Sequence, residues 1–498
     1  MDPQPQLLPR ASTGVAGIDE VLGGGFARDR LHLIEGSPGT GKTTIALQFL
    51  LAGAAQGETG MYVGLSETAT ELRDGARSHG WTIDGNIEIF ELVPPESVFD
   101  PDHHQSLLYS SDLELGEAIQ RILGAIGRLR PKRVVIDSLS EIRLLAQSSL
   151  RYRHQILALK YYFTQNQSTV LLLDDMTAES SDYPVHSIAH SVTHLDRLSP
   201  LYGGERRRLQ VVKARGQSFR SGYHDFTIVS GGVRVFPRLI AAEHRHPFVG
   251  TMVCSGINEL DTLLGGGLAQ GSSTLVIGPA GTGKTLLLLH YIAAAVARGE
   301  RAAFFAFDEE LGLLISRAKA LGFDLAAMRE AGQLFIEQID AAELSPGEFA
   351  HRVCACVDRE NIRMVAIDSL NGYQAAMPEE QYLILHLHEL LQYLNRQGAS
   401  TFLSVAQHGV IGDMRQTIDV TYLADTVITL RFFEAQGRVH RAISVIKKRT
   451  GSHENTIREF TIDGRGMTIG PPLEEFEGVL TGVPTYIGPG APLLRSFR

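Results

Sequence analysis

The chain has 498 residues, of which 44% are hydrophobic and 20% charged, and its formal net charge is −10. This length predicts two or three globular domains, and the acidic balance argues against a protein that binds nucleic acid mainly by electrostatics. Three cysteines are too few for a disulfide framework and indicate a reducing compartment, the cytoplasm. The sequence has no apolar run of about 18 residues and no apolar signal core at its start, so neither a membrane span nor export is predicted.

The chain repeats itself. Residues 12–43 align without a gap with residues 254–285, and about 14 of these 32 positions are identical. Repetition over such a distance indicates a tandem duplication of a whole domain of about 240 residues. We predict a first domain over 1–245, a second domain over 246–482 and an extended tail over 483–498, with a short linker within 237–252.

Aliphatic runs alternate with helical patterns in both halves. In the first half, runs at 31–34, 61–65, 133–136 and 170–173 predict central strands, and 45–52 predicts a buried helix. The second half repeats the strand pattern at 274–277, 302–307, 364–367 and 401–405. One apolar helix face is predicted there from Leu387, Leu390, Leu391 and Leu394. The alternation predicts α/β domains, each with a mostly parallel sheet flanked by helices.

Each half contains one glycine-rich loop of the form G-x-x-x-x-G-K-[ST], placed between a predicted strand and a predicted helix. Glycines let backbone N–H groups converge on phosphate oxygens, the helix N-terminus adds partial positive charge, and the lysine reaches the β- and γ-phosphates. The sequence therefore predicts two ATP sites. The predicted contacts are Gly36, Ser37, Pro38, Gly39, Thr40, Gly41, Lys42, Thr43 and Thr44, and then Gly278, Pro279, Ala280, Gly281, Thr282, Gly283, Lys284, Thr285 and Leu286.

Acidic residues are expected to complete each site. Asp137 and Asp368 each end a buried strand, and together with the Thr43 and Thr285 hydroxyls they are the predicted Mg²⁺ ligands. A loop-capping role is the alternative for both aspartates.

Carboxylates that could orient and deprotonate a nucleophile follow the next strand in each half. They are Glu67 in the first half and Asp308 with Glu309 in the second. The alternative is that these side chains are only solvated.

Other polar clusters are interpreted as structural. His386, His388 and Glu389 lack the spacing of a metal motif and predict a helix surface. His103 and His104 predict a solvated loop. Arg206–Arg208 predicts a solvated strand rather than a nucleic-acid contact.

The two loops occur with other ordered motifs, and the set resembles the KaiC family of tandem RecA-like ATPases over nearly the whole chain. These motifs are the GID-x-x-LGGG segment 17–25 with its variant at 259–267, and the segments 204–208, 213–216 and 457–460. The resemblance implies homohexameric double rings with ATP between subunits, a slowly hydrolysing first domain and a second domain that autophosphorylates a Ser/Thr pair. It implies signalling or circadian-type timing, and a KaiB-like protein is a candidate partner. It also implies that four basic residues reach a neighbour's γ-phosphate: Lys213, Arg215, Lys447 and Arg449.

The chain departs from the family at functional positions. The family has two adjacent glutamates after the second strand, but this chain has Ser66-Glu67 in the first half and Asp308-Glu309 in the second, with Asp308 at the position of the kinase base.

The acceptor pair falls on Thr421 and Tyr422, which we expect on opposite faces of a strand, with Thr421 as the principal phosphorylation site. Thr417 and Thr426 are nearby alternatives. An ATP-gated ring scaffold with ATPase activity only, or a nucleic-acid-dependent ATPase of the RecA type, are the alternative functions.

Overall fold

The computed structural model describes residues 9–83, 85–92, 110–146, 148–176, 184–200, 203–243, 251–375, 380–407, 420–435, 437–481 and 484–487. The chain divides into two compact units, Met1–Arg238 and Leu239–Arg498. The predicted boundary at 245/246 lies outside the described residues, as does most of the predicted tail. Within that tail, Thr485–Tyr486 pairs antiparallel with Phe476–Glu477.

The first unit contains eleven strands and seven helices among its described residues. The strands are β1 (Arg10–Ala11), β2 (Phe26–Ala27), β3 (Leu31–Gly36), β4 (Gly60–Gly64), β5 (Ile87–Glu91), β6 (Arg133–Asp137), β7 (Thr169–Asp174), β8 (Ser191–Leu198), β9 (Arg206–Ala214), β10 (Tyr223–Val229) and β11 (Gly232–Phe236). The helices are α1 (Ala16–Val21), α2 (Lys42–Ala55), α3 (Ala69–Ser78), α4 (Ser110–Leu129), α5 (Leu139–Ala146), α6 (Ser149–Gln165) and α7 (Pro184–Ile188).

The second unit repeats the eleven strands in the same order and adds two short strands at its end. Its strands are β12 (Met252–Val253), β13 (Leu268–Ala269), β14 (Ser273–Gly278), β15 (Arg301–Ala306), β16 (Leu334–Gln338), β17 (Ile362–Asp368), β18 (Ser400–Ala406), β19 (Thr426–Ala435), β20 (Arg438–Lys448), β21 (Ile457–Asp463), β22 (Gly466–Pro472), β23 (Phe476–Glu477) and β24 (Thr485–Tyr486). Its helices are α8 (Asn258–Leu263), α9 (Lys284–Ala297), α10 (Leu311–Ala320), α11 (Leu325–Glu330), α12 (Pro346–Glu360), α13 (Leu370–Ala375) and α14 (Glu380–Arg396).

Each unit is built on one nine-stranded sheet. The strand order is β11-β10-β9-β8-β3-β7-β6-β4-β5 in the first and β16-β15-β17-β18-β14-β19-β20-β21-β22 in the second, which is the same order read from the opposite edge. In both sheets six neighbouring strands are parallel and the last three are antiparallel. The predicted fold class, two tandem RecA-like α/β domains, is confirmed.

Helices cover both faces of the parallel strands, which explains why those strands are continuous aliphatic runs. On one face of the first sheet, Ile34 packs with Ile45 and Phe49 of α2, and on the other face Leu31 and Leu33 pack with residues of α4 and α6. The apolar helix face predicted in the second half is confirmed. The residues predicted for it, Leu387, Leu390, Leu391 and Leu394, are all buried in α14. This packing fixes the strands whose carboxyl ends hold the loops.

Candidate functional site

The glycine-rich loops are built alike in the two units. Helix α2 begins at Lys42 and α9 at Lys284, and the preceding Gly41 and Gly283 have φ of 102° and 106°. The N-cap residue of each helix is a glycine, which has no side chain to cap the helix, so the first-turn N–H groups are not occupied by an N-cap side chain and can bind an anion. A Cβ at Gly41 would lie 2.7 Å from Ile228 Cδ1, which would have to move, and the φ of 102° is itself unfavourable for a residue with a Cβ.

The two loop lysines fold back over their own loops. Lys42 Nζ donates to the carbonyl oxygens of Gly36 at 2.7 Å and Ser37 at 3.1 Å. Lys284 Nζ donates to the corresponding oxygens of Gly278 and Pro279, both at 2.9 Å. Burial lowers the pKa of Lys284, and the nearby charges of two aspartates oppose that shift. Both ammonium groups therefore lie inside the curve of the loop, where phosphate oxygens bind.

A hydroxyl and a carboxylate meet beside each loop. Thr43 Oγ1 donates to Asp137 Oδ2 at 3.2 Å, and Thr285 Oγ1 donates to Asp368 Oδ2 at 2.6 Å. Asp137 and Asp368 are the last residues of β6 and β17, as the sequence predicts. Hard oxygen ligands of this kind suit Mg²⁺, which takes one or two protein oxygens and completes its shell with phosphate and water. The residues present therefore fit the metal.

Two hydroxyls that sequence reasoning missed hold these aspartates. Tyr62 Oη on β4 donates to Asp137 Oδ2 at 2.5 Å, and Ser404 Oγ on β18 donates to Asp368 Oδ1. Burial, and then the Asp137 charge, raise the pKa of Tyr62, so its phenol keeps its proton and remains a donor. Burial also raises the pKa of Asp137, against the effect of the Tyr62 hydrogen bond.

The predicted base of the first site, Glu67, follows β4 and is exposed. Partial loss of hydration and then the charges of Asp137, Glu71 and Asp175 raise the pKa of Glu67. Other carboxylates therefore lie near the Glu67 side chain.

The second site arranges its carboxylates differently. Asp308 accepts a hydrogen bond from Ser369 Oγ, and Ser369 directly follows Asp368. Glu309 forms an ion pair with Arg317 of α10 at 2.6 Å. Loss of hydration raises the pKa of Glu309, and Asp368 adds to that shift against the effect of Arg317. Both predicted residues are near the loop, and each already has a partner.

Asp175 is a further residue that sequence reasoning missed. It follows β7, and its Oδ1 lies 2.8 Å from Lys42 Nζ. The pair Asp174-Asp175 at the end of an aliphatic run was the available signal, because carboxyl ends of neighbouring parallel strands meet at one edge of the sheet.

The four basic residues with a predicted role at a neighbouring subunit contact backbone carbonyls. Lys213 Nζ donates to His186 O, and Arg215 donates to Ser187 O at 2.6 Å. In the second unit Lys447 Nζ donates to Thr421 O at 2.9 Å and to Ala424 O at 2.7 Å, and Arg449 donates to Tyr422 O at 2.8 Å. Neither pair contacts its own loop through these bonds.

The predicted strand at Thr421 and Tyr422 is wrong, because residues 421–423 form a turn before β19. The side chains of Lys447 and Arg449 bind the carbonyl oxygens of these two residues, which a strand would use for its ladder. Tyr422 is half exposed and Thr421 is partly buried. Thr426 is fully buried in β19, and Thr417 lies outside the described residues.

The clusters interpreted as structural have local partners. Arg207 pairs with Glu205 and Arg208 with Asp196, both at 2.8 Å. His386 lies in α14, where its Nδ1 shares a hydrogen bond with Tyr373 Oη. His103 and His104 lie outside the described residues. No helix within the described ranges is both long and apolar enough to span a bilayer.

Comparison with known proteins gives one consistent result. The family model for the KaiC ATPase matches residues 11–240 and 253–474. The circadian clock protein KaiC3 of Synechocystis sp. is 28% identical over 491 residues, which is 98% of this chain and 96% of the relative. The circadian clock oscillator proteins KaiC of Synechococcus elongatus and Parasynechococcus marenigrum are 28% and 30% identical over 488 residues, 97% of this chain and 93% of each relative.

Proposed function

Because the chain belongs to the KaiC family of ATPases, we propose that it is a Mg²⁺-ATP-dependent ATPase and Ser/Thr autokinase that works as a ring of identical subunits. The observation that carries the ATPase part is the hydroxyl–carboxylate pair beside each loop, Thr43 with Asp137 and Thr285 with Asp368. ATP and Mg²⁺ are the substrate and the metal that such a pair, with a phosphate loop, serves.

The residues of each site have separate tasks in phosphoryl transfer. The loop amides and the lysine bind phosphate oxygens, and Thr43 with Asp137, or Thr285 with Asp368, would hold the metal, which neutralises developing charge on the phosphates when bound. Tyr62 and Ser404 orient the aspartates by hydrogen bonds. Glu67 accepts a proton from the attacking water in the first site, and Asp308 accepts one from a hydroxyl acceptor in the second.

The position of the acceptor turn supports transfer between subunits. Asp425, which follows this turn, donates its N–H to Ser273 O at the start of β14, whereas the phosphate loop begins at Gly278 at the other end. The six residues of β14 span about 20 Å. Thr421 therefore lies toward the sheet edge opposite its own loop, and a neighbouring subunit is the better source of the phosphoryl group.

We propose a homohexamer with ATP between subunits, in which Lys213, Arg215, Lys447 and Arg449 exchange their carbonyl partners for a neighbour's γ-phosphate. Thr421 is the principal acceptor and Tyr422 the weaker one, since the phenol oxygen is several Å farther from its Cα. Timing or signalling in the cytoplasm and a KaiB-like partner are part of this proposal, and three free cysteines agree with a reducing compartment.

Phosphopeptide mapping after incubation with Mg²⁺-ATP tests the kinase assignment, and light scattering with a slowly hydrolysed ATP analogue tests the ring. We expect phosphate on Thr421, less of it in Asp308→Asn, and a nucleotide-dependent increase in mass. Phosphate on Tyr422 alone, or labelling unaffected by Asp308→Asn, would overturn the acceptor and base assignments. A chain that stays monomeric with and without nucleotide would overturn transfer between subunits.

The two alternative functions make different predictions in the same experiments. An ATP-gated scaffold would assemble and hydrolyse ATP but carry no phosphate. A nucleic-acid-dependent ATPase would hydrolyse faster with single-stranded DNA and bind it with a strong salt dependence. Arg207 and Arg208 argue against the latter, since both are paired with acidic side chains.

A further inference from the structure

The loop lysine of the first unit has an anionic partner of its own. An ammonium group has three N–H donors, and Lys42 Nζ lies against three acceptors: Gly36 O at 2.7 Å, Ser37 O at 3.1 Å and Asp175 Oδ1 at 2.8 Å. The Lys42 side chain is 6% exposed and the Asp175 side chain 29%, so water screens the ion pair only in part. Asp175 therefore occupies the place on this ammonium that a phosphate oxygen needs.

The second unit lacks this carboxylate. Glu35 pairs in register with Asp174, and Ile277, which stands at the same place before the second loop, pairs with Val405. The residue after Asp174 thus corresponds to the residue after Val405, which is Ala406. Lys284 Nζ keeps both loop carbonyls as acceptors, but no ion pair of Lys284 is formed within the described part of the chain.

The charge of Asp175 also acts on the rest of the first site. Burial raises the pKa of Asp137, and the negative charge of Asp175 adds to that shift. The same charge adds to the raised pKa of Glu67. These effects place Asp175 within electrostatic range of both the predicted metal ligand and the predicted base.

We propose that Asp175 sets the nucleotide affinity of the first site: it holds Lys42 in an ion pair that ATP must displace, and the first site consequently binds ATP more weakly than the second. This inference rests on the proposed binding of ATP by both loops. The displaced carboxylate remains near the phosphates and repels them, so its effect is larger for ATP than for ADP, which carries less negative charge.

The test isolates the first site with Lys284→Ala and then measures equilibrium binding of ATP and ADP with Mg²⁺ by calorimetry. Asp175→Asn removes the charge at nearly constant shape, and Asp175→Ala installs the residue type of the second unit. We expect each to tighten ATP binding about tenfold, which corresponds to one charge-assisted hydrogen bond, and to tighten ADP binding less. Asp74→Asn is the matched control, because Asp74 is an exposed carboxylate paired with Arg77 on α3, and it should change nothing.

The reciprocal experiment isolates the second site with Lys42→Ala and adds Ala406→Asp, which should weaken ATP binding there. If that variant fails to fold, the two Asp175 variants still decide. Unchanged or weaker ATP binding in both Asp175 variants would overturn the inference. If unchanged binding came with slower turnover, Asp175 would instead act as a second base. A Lys284→Ala chain that binds no ATP would overturn two-site binding and this inference with it.

Discussion

The two loops share one backbone design, but in each unit the strand-terminal aspartate, the proposed metal ligand, is oriented from a different side. Tyr62 on β4 supports Asp137, whereas Ser404 on β18 supports Asp368. Strands β4 and β7 flank β6 just as β15 and β18 flank β17, so the two hydroxyls come from opposite neighbours. The hydrogen bond to the carboxylate is retained in both units, although the residue that donates it differs.

The strand register shows which residue stands at the position of each supporting hydroxyl in the other unit. Phe304 occupies the place of Tyr62 in the second unit, and Leu173 occupies the place of Ser404 in the first, and neither has a hydroxyl. Each site thus has one supporting hydroxyl from these two positions. A duplicated domain can therefore move a supporting group to another strand while the geometry of its target is kept.

The carboxylates that follow β4 and β15 also differ between the two units. Glu67 is exposed among other acids, which suits activation of water. Asp308 and Glu309 are held by Ser369 and Arg317. We infer that the first site is the better arranged for hydrolysis.

The largest effect should come from Asp137 and Asp368, the proposed metal ligands. Asp137→Asn and Asp368→Asn, each measured with the other loop lysine changed to alanine, should slow phosphate release at the remaining site by roughly 100- to 1,000-fold, because the carboxylate charge near the metal is lost. Glu88→Gln, an exposed change on β5, is the control. A loss of less than about twofold in either variant would remove that aspartate from the site.

Truncation of corresponding core side chains should lower the free energy of unfolding equally in the two units. Ile45 in α2 and Leu287 in α9 are both fully buried at corresponding positions, so Ile45→Ala and Leu287→Ala should each lower the free energy of unfolding of their own unit by about 3 kcal/mol. Urea unfolding followed by limited proteolysis of each half measures this. A cost confined to one unit would show that the two cores are not equivalent.

Glu67 should matter less than the aspartates and only in the first unit. Glu67→Gln should slow hydrolysis at that site by roughly 10- to 100-fold, since the proton acceptor is lost but the loop lysine and the proposed metal ligands remain. Ser66→Ala is the neighbouring control and should leave the rate nearly unchanged. Equal rates for Glu67→Gln and the parent chain would assign proton acceptance elsewhere.

The smallest effect is a pH dependence that Glu35 and its two histidines add to the first unit. Glu35 lies between His186 and His194, with oxygen–nitrogen distances of 2.6 and 3.5 Å, whereas Ile277 and Thr429 fill the positions of Glu35 and His194 in the second unit. The hydrogen bond to Glu35 raises the pKa of His194 above its ordinary 6.5. A raised pKa adds stability that is complete below 6.5 and is lost as the pH rises through the raised value.

Glu35 does not cancel this effect. Although burial opposes the shift, hydrogen bonds from His194 and His186 lower the pKa of Glu35 below 4.5, so its own contribution is lost only in acid. His32, His190 and His224 of the same unit have pKa values lowered by burial and act in the opposite direction, so the variant must be compared with the parent chain. In urea unfolding, Glu35→Gln should destabilise the first unit more at pH 6 than at pH 8. The same slope in the variant and the parent chain would contradict the assignment.

The sequence predicted what depends on local pattern. The loops, the strand-terminal Asp137 and Asp368, and the apolar face of α14 follow from spacing and periodicity, and each is found where expected. The support of Asp137 by Tyr62 could not be predicted, because it depends on the register between strands that are far apart in the sequence.

The turn at Thr421 and Tyr422 could not be predicted from the local sequence for a related reason. Both residue types favour strands, and the turn is held by the side chains of Lys447 in β20 and Arg449 just after it, which reach their carbonyl oxygens. The Lys42–Asp175 pair likewise joins a helix start to the end of a neighbouring strand. Contacts of this kind exist only once the sheet has formed.

The number of nucleotides bound per chain shows whether the two loops are separate ATP sites. At saturating Mg²⁺-ATP analogue, the parent chain should bind two nucleotides, and Lys42→Ala and Lys284→Ala should each bind one, with far-ultraviolet circular dichroism confirming that both remain folded. A parent chain that binds only one nucleotide, or a folded single variant that binds none, would contradict the account.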